Sequence, residues 1–271
     1  MLSYLCHNLK LFKTISKETK MIKAFLFDMD GTLVQTEILK AMSYAKAAHE
    51  LRPSLKEQGV IDAFKDVVGL SRKEVAQKLM ERFNLEKEAS MRMDEFNVHQ
   101  PWQAFVQLRM GIYDSMISDP DILNKHLCPY NLGLLKWARQ NEYPTGLGTQ
   151  SQRPETMRIL EILNIKKDFN FIATREDVEN PKPDPEIYNL LASELNVIPY
   201  ECLVIEDSAS GVKAALAAGM GCVAVTTDLT REGVHKLGAL DKLFVVDSPP
   251  ELLGVVKDYI AETNESPTKY K

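Results

Sequence analysis

Cysteine is scarce in this chain: Cys6, Cys128, Cys202 and Cys222 are scattered, and no two lie at C-x-x-C spacing. A disulfide framework and a thiolate zinc site are therefore not expected, and the thiols read as free groups in a reducing, cytoplasmic compartment. Positive charge is not in excess either. Lysine and arginine number 33 against 38 aspartate and glutamate, a formal net charge of −5. That balance argues against nucleic acid as the main partner, because a phosphodiester backbone calls for a basic footprint. No apolar run approaches the roughly 20 residues of a membrane helix, so no membrane partner is expected. The histidines His7, His49, His99, His126 and His235 show no metal-ligand spacing. The remaining composition is that of a globular protein, with enough chain for one large domain or a domain carrying an insertion.

Residues 1–20 stand apart. Lys10, Lys13, Lys17 and Lys20 face a single acid, Glu18, with Leu5, Leu9, Phe12 and Ile15 at roughly helical spacing. An organellar targeting helix is one reading, but arginine and a continuous apolar core are lacking. Met21 directly precedes the first strand, so a dispensable extension is the simpler expectation. The polar end, 263–271, reads as a frayed tail.

What is present begins at Phe27-Asp28-Met29-Asp30-Gly31-Thr32. The apolar run Ile22 to Phe27 predicts a short buried strand with side chains filling both faces. Two carboxylates then stand at its carboxyl end, where open α/β sheets bind ligands. One carboxylate so placed can act as a nucleophile and the other as its acid and base partner. Gly31 would let backbone N–H groups approach an anion. An aspartate-rich turn after a strand is the plainer alternative.

From Asn131 onward helix and strand alternate. Helical patterns cover Asn131–Gln140, Pro154–Leu163, Pro185–Leu195 and Ser208–Ala218. Strands are predicted over Tyr143–Gly148, Phe169–Ala173, Leu203–Ile205, Cys222–Val225 and Leu243–Val246. Helices of this length between strands imply a parallel sheet with right-handed crossovers. Residues 36–128 hold helical patterns over Ile38–Leu51, Lys73–Phe83 and Lys87–Met93, with a break at Gly69-Leu70-Ser71 and a Ser71-to-Glu74 capping box. The expected organisation is an α/β fold: a Rossmann-like parallel-sheet core over 21–35 and 129–262, with an inserted helical cap over 36–128 placed as a lid.

Four strand or loop ends then carry the chemistry. Asp28 and Asp30 close the first. Thr149 and Ser151 close the second, at the opening of a helix, where an anion is favoured. Lys182 lies in the proline-stiffened stretch Asn180 to Pro185. Glu206 and Asp207 close the fourth. Oxygen ligands of this kind suit Mg²⁺, which also keeps water and phosphate oxygens in its shell. Taken singly, Asp207-Ser208 could be only an N-cap, Lys182 a surface lysine, and Thr149 and Ser151 capping hydroxyls. Their order along one chain argues against four separate accidents.

That order resembles the haloacid dehalogenase superfamily over roughly 22–247, in its subgroup with a small helical cap. Asp28-Met29-Asp30-Gly31-Thr32 is similar to its first motif, Thr149 to its second, Lys182 to its third and Glu206-Asp207 to its fourth. The resemblance implies Asp28 as the nucleophile that forms an aspartyl-phosphate and Asp30 as the acid and base. It further implies Thr149, Gly31 and Ser151 around the phosphoryl oxygens and Lys182 neutralising the centre. Mg²⁺ would be held by Asp28, the Asp30 main-chain oxygen, Glu206 and Asp207. The loop Gly69 to Glu74 resembles the cap loop of β-phosphoglucomutase and related sugar-phosphate phosphatases, in which an arginine at the place of Arg72 contacts substrate. The mutase carries a histidine where Lys40 stands, so the resemblance implies a phosphatase acting on a small phosphorylated metabolite, with a hexose-phosphate mutase as one alternative. Carbon–halogen cleavage would give the acid at Asp30 no task, which sets the dehalogenase branch aside. An idle phosphate-binding or scaffold protein is the alternative of another class. A monomer or weak dimer is expected.

Overall fold

The computed structural model describes residues 22–265 apart from residue 69, so the extension 1–20, Gly69 and the end of the tail lie outside the described residues. β1 (Ala24–Phe27) opens the chain. Six helices follow: α1 (Thr36–Leu51), α2 (Glu57–Phe64), α3 (Arg72–Phe83), α4 (Glu86–Ser90), α5 (Pro101–Ile117) and α6 (Pro120–Lys125). The alternating part contains α7 (Pro129–Gln140), β2 (Thr145–Gly148), α8 (Arg153–Ile162), β3 (Phe171–Ala173), α9 (Glu186–Glu194) and β4 (Cys202–Glu206). It ends with α10 (Ala209–Ala217), β5 (Gly221–Val225), α11 (Arg231–Leu237), β6 (Val245–Val246) and α12 (Leu252–Glu265).

The strands form one parallel sheet in the order β3-β2-β1-β4-β5-β6. This is the Rossmann-like α/β arrangement expected from the alternation. Its strand order reverses between β1 and β4, and ligands of such sheets bind at that crevice. β1 is buried on both faces because its side chains alternate between two cores. Phe25 and Phe27 pack with Leu147, Leu203 and Ile205 under α7, α8 and α12. Ala24 and Leu26 pack with Val204, Ile187 and Leu191 on the opposite side. Phe25 also meets Trp137 and Tyr143 edge-on, at centroid distances of 6.0 and 5.0 Å.

A third apolar cluster, with Tyr44, Phe64, Leu79 and Phe105 at its centre, holds α1, α2, α3 and α5 together. The chain leaves the sheet at Val34 and returns at Leu127, and those two residues pair as an antiparallel bridge. The helical block thus hangs from two adjacent segments at the carboxyl end of β1.

Some boundaries differ from the periodicity. β2 starts at Thr145 because Pro144 has no N–H to give the ladder. The helix expected to begin at Pro185 begins at Glu186, whose N–H donates to Asp184 Oδ1 at 3.0 Å. In α8 the buried positions are Thr156, Ile159 and Leu160, while Met157 and Leu163 are only partly covered. α5 has no counterpart among the expected helices. Its buried residues, among them Ala104, Phe105, Val106, Leu108, Tyr113 and Met116, surround the helix instead of forming one stripe. Among the described residues no helix is long and apolar enough to cross a membrane.

Candidate active site

The register of the sheet sets Phe27 beside Ile205, so the next residues, Asp28 and Glu206, emerge side by side. The Asp28 N–H donates to the Ile205 carbonyl at 3.0 Å, which fixes the aspartate at the strand's end. The chain then turns through Gly31 at φ +83, a left-handed conformation that favours glycine. A Cβ on Gly31 would lie 2.1 Å from Asp207 Oδ2, so the missing side chain is the room that Asp207 occupies.

Lys182 reaches into this corner from the loop before α9. Its Nζ donates to Asp28 Oδ1 at 2.7 Å, Glu206 Oε1 at 2.6 Å and the Gly148 carbonyl at 2.9 Å, all of it buried. The Gln150 side chain donates to the Lys182 carbonyl at 3.2 Å and ties that loop to the end of β2. Glu206 is fully buried and saturated with donors. Lys182 and the Tyr188 hydroxyl (2.7 Å) reach Oε1, and the Asp207 N–H, Ser208 N–H and Ser208 hydroxyl reach Oε2. Burial opposes ionisation of Glu206, but Lys182 and these hydrogen bonds outweigh it and hold the carboxyl below its ordinary value. Among the described residues the Asp28 carboxylate accepts only from Lys182. Burial, assisted by the charges of Glu206 and Asp30, wins there and pushes the carboxyl up to about 8. Lys182 itself is raised, because the two carboxylates overcome its burial.

Asp30 faces the other way. Thr36 (2.5 Å), Thr149 (2.6 Å) and Ser151 (2.9 and 3.0 Å) donate their hydroxyl hydrogens to its carboxylate, and the Lys40 ammonium lies 3.3 Å from Oδ1. Burial would raise this carboxyl, but Lys40 and the hydroxyls outweigh it and lower it to about 2. Lys40 is shared with Glu37 at 2.6 Å. Two carboxylates two residues apart thus differ in ionisation because one gathers donors and the other does not.

Asp207 follows Glu206 but accepts no hydrogen bond among the described residues. Burial and the charges of Glu206 and Asp28 push it well above the usual carboxylate range. Ser208, not Asp207, caps α10, accepting from the Gly211 N–H at 3.1 Å. Carboxylate oxygens of Asp28, Glu206 and Asp207 lie within 4.8 Å of one another. Three acids against one lysine, one of them without a donor, is a set that a hard divalent cation fits. Since both oxygens of Glu206 are already engaged by protein donors, Asp28 and Asp207 are the carboxylates with capacity left for a metal.

Asp28, Asp30, Lys182, Asp207 and Ser151 line one cleft of about 310 Å³. Thr149 is buried behind Asp30, and Gly31 lies against Asp207. Glu206 sits below the cleft floor as the anchor of Lys182. Arg72 is exposed at the start of α3, its guanidinium 3.4 Å from Met110 Sδ, and does not line the cleft. Thr36, Lys40, Glu37 and Tyr188 belong to these networks, yet no motif in the sequence marks them. Only the spacing of Thr36 and Lys40 behind the Asp28–Asp30 turn, at the first residue of α1 and one helical turn later, offers a signal.

The sequence profile of haloacid dehalogenase-like hydrolases matches residues 22–219. A phosphorylated carbohydrates phosphatase of Thermotoga maritima is 28% identical over 239 residues, covering 88% of this chain and 100% of that protein. A phosphoglycolate phosphatase of Shigella boydii is 28% identical, covering 76% of this chain and 81% of its own. Among solved structures, β-phosphoglucomutase from Clostridium difficile superposes with a TM-score of 0.62 at 28% identity, over 90% of this chain and 98% of that one. Since the profile spans the sheet from β1 past Glu206-Asp207, and the relatives extend along the helical block as well, this chain belongs to the haloacid dehalogenase-like hydrolases.

Proposed function

We propose that the protein is a phosphatase of a small phosphorylated carbohydrate or related metabolite, working through a phosphorylated Asp28. The observation that carries this reading is the pairing in one cleft of a lysine-clamped Asp28 with an Asp30 held on the hydroxyls of Thr149 and Ser151. The names of the relatives, a phosphorylated carbohydrates phosphatase and phosphoglycolate phosphatases, support the substrate class.

In this reading an Asp28 oxygen attacks phosphorus while the ester P–O bond breaks, and Asp30 gives a proton to the departing oxygen. Asp30 then takes a proton from the water that cleaves the acyl phosphate, which frees the Asp28 carboxylate and returns Asp30 as the acid. Lys182 keeps the nucleophile oriented and offsets charge gathering on the transferred group. Thr149 and Ser151 have the donors that phosphoryl oxygens require, and at present they serve Asp30. Substrate entry therefore exchanges Asp30 for a phosphoryl group on those hydroxyls, and Asp30, no longer held down by them, takes up the proton that it passes to the leaving oxygen. Mg²⁺ would be held by Asp28, Asp207 and the main-chain oxygen of Asp30. Bound there, it supplies charge neutralisation for an anionic nucleophile approaching an anionic ester.

Asp28→Asn is expected to abolish phosphate release from a generic phosphomonoester, and turnover near wild type would overturn the mechanism. The β-phosphoglucomutase likeness supports one second reading, a hexose-phosphate mutase. β-Glucose 1-phosphate with a bisphosphate primer separates the two: free phosphate is the product expected here, and isomerised sugar phosphate would favour the mutase.

A further inference from the structure

A second cavity, of about 210 Å³, lies at the root of the helical block. Gly31, Gln35, Leu127 and Cys128 line it where the chain leaves and rejoins the sheet, and Val225 and Pro250 line it at and beyond the end of β5. Among the described residues none in its wall is charged. The wall is mostly apolar and rich in rings: Pro129, Pro249, Pro250 and the half-exposed Tyr130. Small-molecule sites share this make-up, an apolar wall with a few polar groups that fix orientation.

Asn131 is out of place in that wall. It is the third residue of α7 and 2% exposed, and its side-chain amide has no hydrogen bond among the described residues. The other buried positions of α7 are Leu134, Leu135 and Ala138, so packing alone would favour an apolar residue here. A buried amide without a partner is destabilising, and Asn131 lines the cavity, so its donor and acceptor are left to be satisfied from there. Gln35 adds an acceptor: its Nε2 donates to Cys128 Sγ at 3.1 Å, and among the described residues its Oε1 has no partner. Water would satisfy these amides but not the apolar wall around them. An anion would find no cation in the wall and would lie near Asp207, whose charge adds to burial in pushing the Cys128 thiol up to about 11.

We propose that this cavity is a second ligand site, for a small uncharged molecule with an apolar ring and an amide-like donor–acceptor edge, and that its occupant slows turnover. The edge pairs with the Asn131 amide and the ring lies against the proline-rich wall. The effect on turnover follows from position. Val34 and Leu127 pair as a bridge, the Gln35 N–H donates to the His126 carbonyl at 2.8 Å, and the Cys128 N–H donates to the Leu33 carbonyl at 2.9 Å. An occupant would touch both of these segments and also Gly31, whose other neighbour is Asp207. It would thus hold the helical block against the sheet while leaving the cleft itself open to substrate. The effect on turnover rests on the phosphatase reading above; the site does not.

The test uses three probes of one shape on the full chain, benzamide, benzoate and toluene, with binding read by NMR titration. Benzamide should bind with a Kd on the order of 1 mM, as befits so small a ligand, and more tightly than benzoate. Asn131→Leu removes the amide at similar volume. It should weaken benzamide roughly tenfold and leave toluene no weaker. Asn131→Asp, of the same shape, should weaken benzamide too and replaces the leucine variant if that one does not fold. Excess inorganic phosphate, a ligand for the cleft, should not displace benzamide. Absent binding, binding that ignores both Asn131 variants, a preference for benzoate, or displacement by phosphate would each overturn the site. With the site filled, kcat for a generic phosphomonoester should fall at least roughly twofold and excess ester should not restore it. Unchanged turnover would overturn the control while the site stands. If wild type hydrolyses no ester, the phosphatase reading fails, yet Asn131-dependent binding of benzamide still upholds the site.

Discussion

Asp28 and Asp30 leave the same strand end two residues apart and belong to different regions of the molecule. Asp28 is enclosed on the sheet side by Lys182, Glu206 and Asp207, which come from loops and strand ends of the core. Asp30 gathers its donors from Thr149 and Ser151 on one side and from Thr36 and Lys40 of α1 on the other. The first region is buried and holds more negative charge than its one lysine balances, so burial first and the neighbouring carboxylates second push Asp28 up to about 8. The second has donors in plenty, so Asp30 falls to about 2. Any shift of α1 relative to the sheet alters the partners of Asp30 and leaves those of Asp28 in place. The two carboxylates can thus be governed separately although they share one turn.

The comparison breaks most visibly at Lys182. Lys182→Met strands Glu206 and Asp28 in the core without their cation, and breaking a buried pair in this way costs about 3–5 kcal/mol. Phosphate release should fall by roughly 10²- to 10³-fold, as when a preorganised charge donor is removed. Urea denaturation reads the first effect and steady-state kinetics the second. A denaturation midpoint equal to that of wild type would show that Lys182 is not the buried counter-ion of Glu206.

Gly31→Ala is the next in size. The new Cβ would meet Asp207 Oδ2 at 2.1 Å, and alanine resists the positive φ. The backbone cost is about 1–2 kcal/mol. The chemical consequence is larger, because Asp207 must leave its place beside Asp28. Activity should drop roughly 100-fold and the Mg²⁺ concentration for half-maximal rate should rise, by analogy with losing support around a metal ligand. An unchanged Mg²⁺ requirement would remove Asp207 from the cation's seat. Chelation of wild type with EDTA should abolish turnover, and added Mg²⁺ should restore it.

How far these regions can be read in the sequence differs between them. Asp28, Gly31, Lys182 and Glu206-Asp207 announce themselves because backbone demands mark them: an apolar strand that stops, a glycine turn, a proline-stiffened loop. The strand alternation with helices likewise gives the parallel sheet. Ser71 and Glu74 form the reciprocal cap their spacing suggests, with the Ser71 hydroxyl accepting from the Glu74 N–H at 3.3 Å and Glu74 Oε2 accepting from the Ser71 N–H at 3.0 Å. Tyr188 and Lys40 give no such signal. Each lies inside a helix, in a position where tyrosine or lysine is unremarkable, and each meets the site through a residue 10 to 18 positions away brought close by packing. α5 escapes notice for a related reason: it is buried on several sides, so no single apolar stripe sets its period. Glu206 is legible as a site residue, but its saturation by five donors depends on tertiary neighbours.

A milder change on the cap side sharpens the contrast. Lys40→Met removes the cation beside Asp30 and leaves the three hydroxyls, so activity should fall roughly tenfold, less than the roughly 10²- to 10⁴-fold expected for loss of an acid–base group itself. Because the folded value of Asp30, about 2, lies below the ordinary value near 3.8, its ionised form contributes stability above about pH 4, and this is lost as pH falls towards 2. Without Lys40 the folded value moves up and the gap narrows. The stability difference between wild type and variant should therefore shrink on acidification from pH 5 to about 2. A difference that grows in acid would mean that Lys40 does not support the carboxylate of Asp30.

The smallest effect is expected far from both carboxylates, at the cap of α3. Ser71→Ala deletes the acceptor for the Glu74 N–H at an exposed helix end, a loss of about 1 kcal/mol. α3 buries Val75, Ala76, Leu79 and Met80 against the cluster shared with α1 and α5, so the helix should remain and only its first turn should loosen. That turn carries Arg72, which is exposed and outside the cleft. If the first turn of α3 only supports the helical block, kcat and KM for every ester should stay within about twofold of wild type while the melting point drops by a few degrees. A KM that rises while kcat is unchanged would show that the opening of α3, with Arg72, approaches the substrate during turnover. The boundary between the region that holds the chemistry and the region that covers it would then have to be drawn on the far side of α3.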